Sequence, residues 1–291
     1  MQNILESSFV RALIEGTVLL PAGVTVLYGL ATHRIRRSET SWRSMLWVPG
    51  LLVGFFSGFA AAYHSFTFPP RTVLSWVPWL TVGGVVCVAV AARGAGMGRV
   101  QLVRAVACAV SAFLLQRPIL AQESIRTALA EWSATAALWF VLWSGLVPSR
   151  TDQKAAAIAL LVCVAGLALA APLSGSIVIA RLGGSLAVTL GVALVFALFI
   201  RPAPWGLPTA DLAALVFGML MLDLGFYAQA PVSVMVCLAA APAAAGAGRV
   251  LAHRGRIGER WRILVPALAA IAPVIMAVWF AVRLSRSAGG Y

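Results

Sequence analysis

Pro148-Ser149-Arg150-Thr151-Asp152-Gln153-Lys154 runs directly into Ala155 to Ala171, AAAIALLVCVAGLALAA, a stretch with no charged side chain. An apolar helix of about 20 residues, with a range of about 17 to 25, crosses the hydrocarbon of a bilayer, and a short polar loop marks where a crossing begins. The same alternation of apolar run and polar loop repeats along the chain and predicts ten spans. They are Phe9 to Leu30, Met45 to Tyr63, Val73 to Ala91, Val100 to Leu115, Thr127 to Leu146, Ala155 to Ala171, Ile177 to Ile200, Leu212 to Tyr227, Val232 to Ala245 and Ile263 to Leu284. The expected fold is all-α, a polytopic transmembrane helical bundle of about ten spans forming one membrane domain over residues 1–291. The fourth, eighth and ninth runs are short, so tilted, broken or re-entrant segments are expected among them. The pair joined by Tyr227 to Val232 reads as a hairpin that stops short of a full crossing.

Composition supports this reading. Of 291 residues, 61% are hydrophobic and 11% charged, with mean hydropathy +0.94, whereas soluble domains carry roughly a quarter charged residues. The lipid bilayer is the expected partner. The formal charge of +13 comes from arginines in short loops between apolar runs, not on one soluble face, and this argues against nucleic acid. The first apolar run contains Arg11 and Glu15, lacks a basic leader and continues to Leu30, so it reads as an uncleaved span. Cys87, Cys108, Cys163 and Cys237 all lie in apolar runs without a C-x-x-C pair, and read as small core residues.

Cytoplasmic loops retain Lys and Arg. Of the 22 basic residues, fourteen fall on one side: Arg34, Arg36, Arg37 and Arg43, Arg93 and Arg99, Arg150 and Lys154, Arg201, and Arg249, Arg254, Arg256, Arg260 and Arg262. That side is expected to be cytoplasmic, which puts both termini of a cell-membrane protein outside. Trp42, Trp47, Trp139, Trp143 and Trp261 are expected in an inner interfacial belt, and Trp76, Trp79, Trp132 and Trp279 in an outer one.

The loop at Pro148 to Lys154 divides the chain into halves, 1–147 and 155–284, of five spans each, and an odd number per half makes any repeat inverted. Prolines at Pro69 and Pro70, and at Pro202, Pro204 and Pro208, occupy corresponding loops. The size and the five-plus-five arrangement resemble the ten-span drug/metabolite transporter superfamily. This resemblance is one of architecture, has no residue motif behind it and assigns no residue a role.

Ionisable groups at membrane depth are costly and so mark candidate sites. Glu15 is one helical turn from Arg11, a spacing that allows local neutralisation. Asp223 has no partner in its own span, and Arg181, at similar depth in span seven, is its simplest expected ion-pair partner; Glu15, Arg181 and Asp223 together are the candidate cavity or ion-pair residues. Arg104 reads as a side chain snorkelling to the headgroups. A second candidate cluster lies on the outer face: His64, Arg71, Arg117, Glu123, Arg126 and Glu131. Its Gln122 to Glu131 part can equally be a solvated turn leading into span five. Asp211 falls in an inner loop with Glu39, Asp152 and Glu259. Tyr63 to Arg71, stiffened by tandem prolines, reads as an interfacial loop or the cap of a cavity. Gly50, Gly54 and Gly58 form a small-residue stripe for close helix packing, against a neighbouring span or a second copy.

His33, His64 and His253 all lie in loops, where bis-histidine haem ligation within spans has no place. The phosphate-loop, zincin and serine-hydrolase signatures are absent. No cofactor and no metal are expected. Three functional readings remain open: a secondary transporter or permease for a small solute or ion; a non-catalytic scaffold or subunit, alone, as a homo-oligomer or with a partner membrane subunit; and an outer-leaflet lipid-modifying enzyme using His64, Glu123 or Glu131.

Overall fold

The computed structural model describes residues 14–34, 45, 47–63, 68–70, 72–93, 96–147, 153–199, 207–255 and 258–287. Among them there are helices and no strand. A π-helical turn, Glu15–Leu19, continues into α1 (Leu20–Arg34). Nine more follow: α2 (Trp47–Tyr63), α3 (Val73–Arg93), α4 (Met97–Leu120), α5 (Ile125–Leu146), α6 (Gln153–Leu173), α7 (Ile177–Phe199), α8 (Leu207–Phe226), α9 (Val232–Arg254) and α10 (Glu259–Ser287). Eight of the described segments are long and apolar enough to cross a membrane. Of the other two helices, α2 is apolar but 17 residues long, and α5 opens on a polar face with Arg126 and Glu131 exposed.

The expectation of short fourth, eighth and ninth spans is corrected. Helix α4 has 24 residues, α8 has 20 and α9 has 23. Polar residues that interrupt the apolar runs, notably Arg104, Asp211 and Arg249, lie inside these helices and are buried. The chain between α8 and α9 is an ordinary tight turn. Tyr227 and Ala228 donate their N–H groups to the Asp223 carbonyl, Ala230 donates to that of Leu224, and Pro231 opens α9.

Helix α8 is the axis of the bundle. From Pro208 to Leu224 every residue except Leu222 is buried, because α2, α3, α4, α5, α6 and α7 all pack against it. A helix that is apolar on all sides belongs in such a position. Around it, α1, α2 and α7 form one group, and α6, α9 and α10 form another with the most extensive helix contacts in the protein. The turn between α6 and α7 follows the Schellman pattern: Ser176 donates its N–H to the Ala171 carbonyl and Gly175 to that of Pro172. Gly175 takes φ +94°, where a Cβ would be strained.

The glycine stripe of α2 faces α1 and α7. A Cβ at Gly50 would come within 2.7 Å of the Tyr28 ring, and one at Gly54 within 2.6 Å of Thr189 Oγ1, while at Gly58 it would run into the Ser185 side chain. The facing hydroxyls are satisfied by their own helices: Thr25 donates to the Pro21 carbonyl at 2.6 Å and Thr189 to that of Ser185 at 2.7 Å. Close approach therefore leaves no polar group stranded.

The tryptophan belts are partly corrected. Trp79, Trp261 and Trp279 are exposed, but Trp47, Trp139 and Trp143 are buried inside the bundle. Trp42 lies outside the described residues. Trp132 donates its indole N–H to the Ala109 carbonyl of α4 at 2.8 Å, tying α5 to its neighbour.

Introducing one methyl group at Gly58 should overpack the α2–α7 contact by about 1–3 kcal/mol. Gly58→Ala is expected to lower the melting midpoint of the detergent-solubilised protein, and Ser185→Gly in the same chain to restore most of the loss; thermal melting of the two variants and the natural protein checks this.

Candidate functional site

Two groups of polar side chains lie at opposite ends of the bundle. At the arginine-rich end, Arg104 of α4 donates from Nε to Asp211 Oδ1 at 2.9 Å, and its Nη2 approaches the same oxygen at 2.7 Å. Trp143 of α5 adds an indole N–H at 2.8 Å. Arg104 and Asp211 are 2% and 5% exposed at their side chains. Nearby, Arg249 of α9 donates to the Gly145 and Leu146 carbonyls at 2.9 and 2.7 Å. These carbonyls end α5 and have no partner within their own helix, so a guanidinium there satisfies both hydrogen-bonding demand and helix dipole.

Two expectations fall here. Arg104 does not snorkel, and Asp211 and Arg249 are not loop residues. All three hold α4, α5, α8 and α9 together where the chain was expected to meet the headgroups. A carboxylate at the start of an apolar run resembles a loop residue in one dimension, and only the neighbouring helices reveal it as buried.

At the arginine-poor end lies a cavity of about 820 Å³. Its wall is built from helix ends and turns. Tyr63 closes α2, Thr72 to Trp76 open α3, Leu114 to Ala121 end α4, Gly175 to Ile179 make the α6–α7 turn, and Asp223 to Ala228 end α8. Asp223 is 1% exposed, and neither carboxylate oxygen has a hydrogen-bond partner among the described residues. One turn on, Tyr227 donates its hydroxyl to the Leu115 carbonyl of α4 at 2.6 Å, which holds the end of α8 against α4. Beside Leu115, the amide of Gln116 is also buried without a partner among the described residues. The hydroxyls of Tyr63 and Thr72 bond to each other at 2.8 Å, which joins the two helices that flank the proline loop.

The expected pair of Asp223 with Arg181 is not formed. Arg181 faces the other way: its Nη2 lies 2.9 Å from where a Cβ on Gly16 would stand, against the π-helical turn. Glu15, in that turn, is exposed and does not line the cavity. Of the three candidates, only Asp223 is in its wall. From the second cluster, Arg117 joins it there. Glu123, Arg126 and Glu131 are exposed outside it, and His64 and Arg71 lie outside the described residues. Pro70 and Tyr63 place the described parts of the proline loop at the cavity, while Phe68 stacks edge-on against Trp79 at 5.1 Å. Trp76, expected in an interfacial belt, lines the cavity instead.

A third feature is an apolar groove of about 370 Å³ between α5, α8 and α9, lined by Trp139, Phe217, Met221 and Met235 among others. Gly218 at its base lets the Trp139 indole lie directly against the α8 backbone. All four cysteines are free thiols. Among the described residues no three His, Cys, Asp or Glu side chains come together as metal ligands would.

The fold and these two polar groups define a multi-pass α-helical membrane protein, with a buried ion pair toward one end of its described helices and a cavity at the other. No protein-family profile matches the chain, and no curated protein matches it in sequence.

Removing one member of the buried Arg104–Asp211 pair strands the other, at a cost of about 3–5 kcal/mol, whereas replacing both with apolar groups is close to neutral. Asp211→Leu is expected to melt well below the natural protein and to elute as aggregate on size exclusion, and Arg104→Met with Asp211→Leu to recover most of the folded fraction.

Proposed function

We propose that the protein is a secondary transporter or permease for a small solute in the cytoplasmic membrane, with the cavity at the arginine-poor end as its loading site. One observation carries the reading: Asp223, a carboxyl group buried at the end of a span, faces a cavity and has no partner among the described residues. A carboxylate costs several kcal/mol at such depth. A packing role would pair it, as Asp211 is paired, so an unpaired one facing a cavity is suited to meeting a cation, an ammonium group or a proton from outside the protein.

The distribution of Lys and Arg puts the cavity on the outer face and both termini outside. Toward the opposite end the Arg104–Asp211–Trp143 group and Arg249 tie α4, α5, α8 and α9 together, which suits a carrier that is held shut on one side while open on the other. The division at 148–154 supports the same reading. Helix α2 packs on α7 and α3 on α8, the pairs that a two-fold axis between halves would bring together. The halves are not packed equivalently, since α6 lies along α10 while α1 and α5 have no comparable contact. An enzyme reading gains little, because Glu123 and Glu131 lie outside the cavity.

In whole cells, a Ser176→Cys variant is expected to react with a membrane-impermeant maleimide added outside. In proteoliposomes screened with small amines, amino acids and organic anions, the natural protein should give saturable flux that Asp223→Asn abolishes without a change in melting. Absence of flux for the whole panel, together with failure of the external maleimide to label the Ser176→Cys variant, overturns the reading. If Asp223→Asn only lowers folded yield, the carboxyl is structural.

A further inference from the structure

Resting on the loading-site reading, the geometry points to the class of molecule that the cavity takes: we propose a small zwitterion, with an organic ammonium group at Asp223 and an anionic group at Arg117. Among the described residues the charged side chains in the wall are these two, one of each sign, so a ligand that matches this pair is neutral overall. They sit at different depths. Asp223 is 1% exposed, while Arg117, in the last turn of α4, is exposed. A cationic group thus goes in first and an anionic group remains at the mouth.

The rest of the wall favours an organic cation over a metal ion. A hard metal ion wants six or more oxygen ligands. Here the Tyr63 and Thr72 hydroxyls are bonded to each other and the Tyr227 hydroxyl to Leu115, and Ser176 Oγ accepts from the Ile179 N–H at 3.4 Å. Hydroxyl oxygens so bonded keep lone pairs, but among the described residues Asp223 is the one carboxylate in the wall, and a single carboxylate offers a metal ion little charge. What the wall offers in quantity is aromatic surface, from Tyr63, Trp76 and Tyr227. Aromatic faces around a carboxylate suit an ammonium that carries carbon substituents and is only weakly hydrated. The same chemistry reaches the protein from two sources, a free solute or the headgroup of a zwitterionic phospholipid.

The test is ligand-induced stabilisation and calorimetry on the full-length protein in detergent, with four probes: ethanolamine, dimethyl phosphate, glycerophosphoethanolamine and glycine betaine. At least one zwitterion should bind at least about ten-fold more tightly than either single-charge probe, since each charge-assisted contact is worth a factor of this size. Asp223→Asn and Arg117→Gln should each weaken it by about the same factor while melting as the natural protein does. Ethanolamine binding as tightly as glycerophosphoethanolamine with Arg117→Gln silent, or no probe binding at all, overturns the proposal. Nanodiscs with and without phosphatidylethanolamine separate the sources: loss of glycerophosphoethanolamine binding in the first identifies the lipid headgroup, and its retention identifies the free solute. Zwitterion binding without flux in proteoliposomes keeps this inference and sinks the transporter reading; flux of a singly charged solute alone does the reverse.

Discussion

A helix enclosed on every side must obtain from its neighbours whatever its charges require, and α8 carries two carboxyl groups. Asp211 receives an arginine and an indole from α4 and α5. Asp223, three turns along, receives nothing among the described residues. The contrast organises the molecule. Where α8 is paired, four helices are drawn together; where it is unpaired, helix ends stand around a cavity. A low-dielectric interior magnifies both the attraction in one case and the cost in the other.

The same economy of polar groups runs through the rest of the packing. The hydroxyls that face the glycine stripe donate to carbonyls of their own helices, and Arg249 takes up carbonyls that end α5. With no water in the hydrocarbon to accept or donate, each such group has to be matched inside the protein. Buried groups without a partner among the described residues also occur at Thr17, Trp139, Arg181 and Thr209, but Asp223 is the one acidic side chain among them, and Gln116 lies on the adjoining helix.

Hydropathy made the ten helices legible, because a run of apolar residues that crosses a bilayer needs no knowledge of its neighbours. It made Asp223 legible too, as a charge without a partner in its own span. It misjudged Arg104, Asp211 and Arg249 for one shared reason. A charge near the end of a run can face headgroups or another helix, and these differ only in three dimensions. Trp47, Trp139 and Trp143 differ from the expected belts because an indole near a span end can lie at an interface or inside the bundle: Trp143 donates to a buried carboxylate, and Trp139 packs against the α8 backbone at Gly218. Arg181 had the right depth but the wrong azimuth: its position on α7 turns it toward the first span. Arg117 was visible only as one of several outer charges, and the helix ends around it single it out.

Helix α2 holds 17 residues and α10 holds 29. At about 1.5 Å per residue they measure about 25 and 43 Å, below and above the roughly 30 Å of hydrocarbon they meet. A hydrophobic stretch longer than the hydrocarbon is accommodated by tilt, and a shorter one by local thinning of the bilayer. Helix α2 ends at Tyr63, on the rim of the cavity. A bilayer that thins to meet α2 would therefore bring its headgroups toward the mouth of the site.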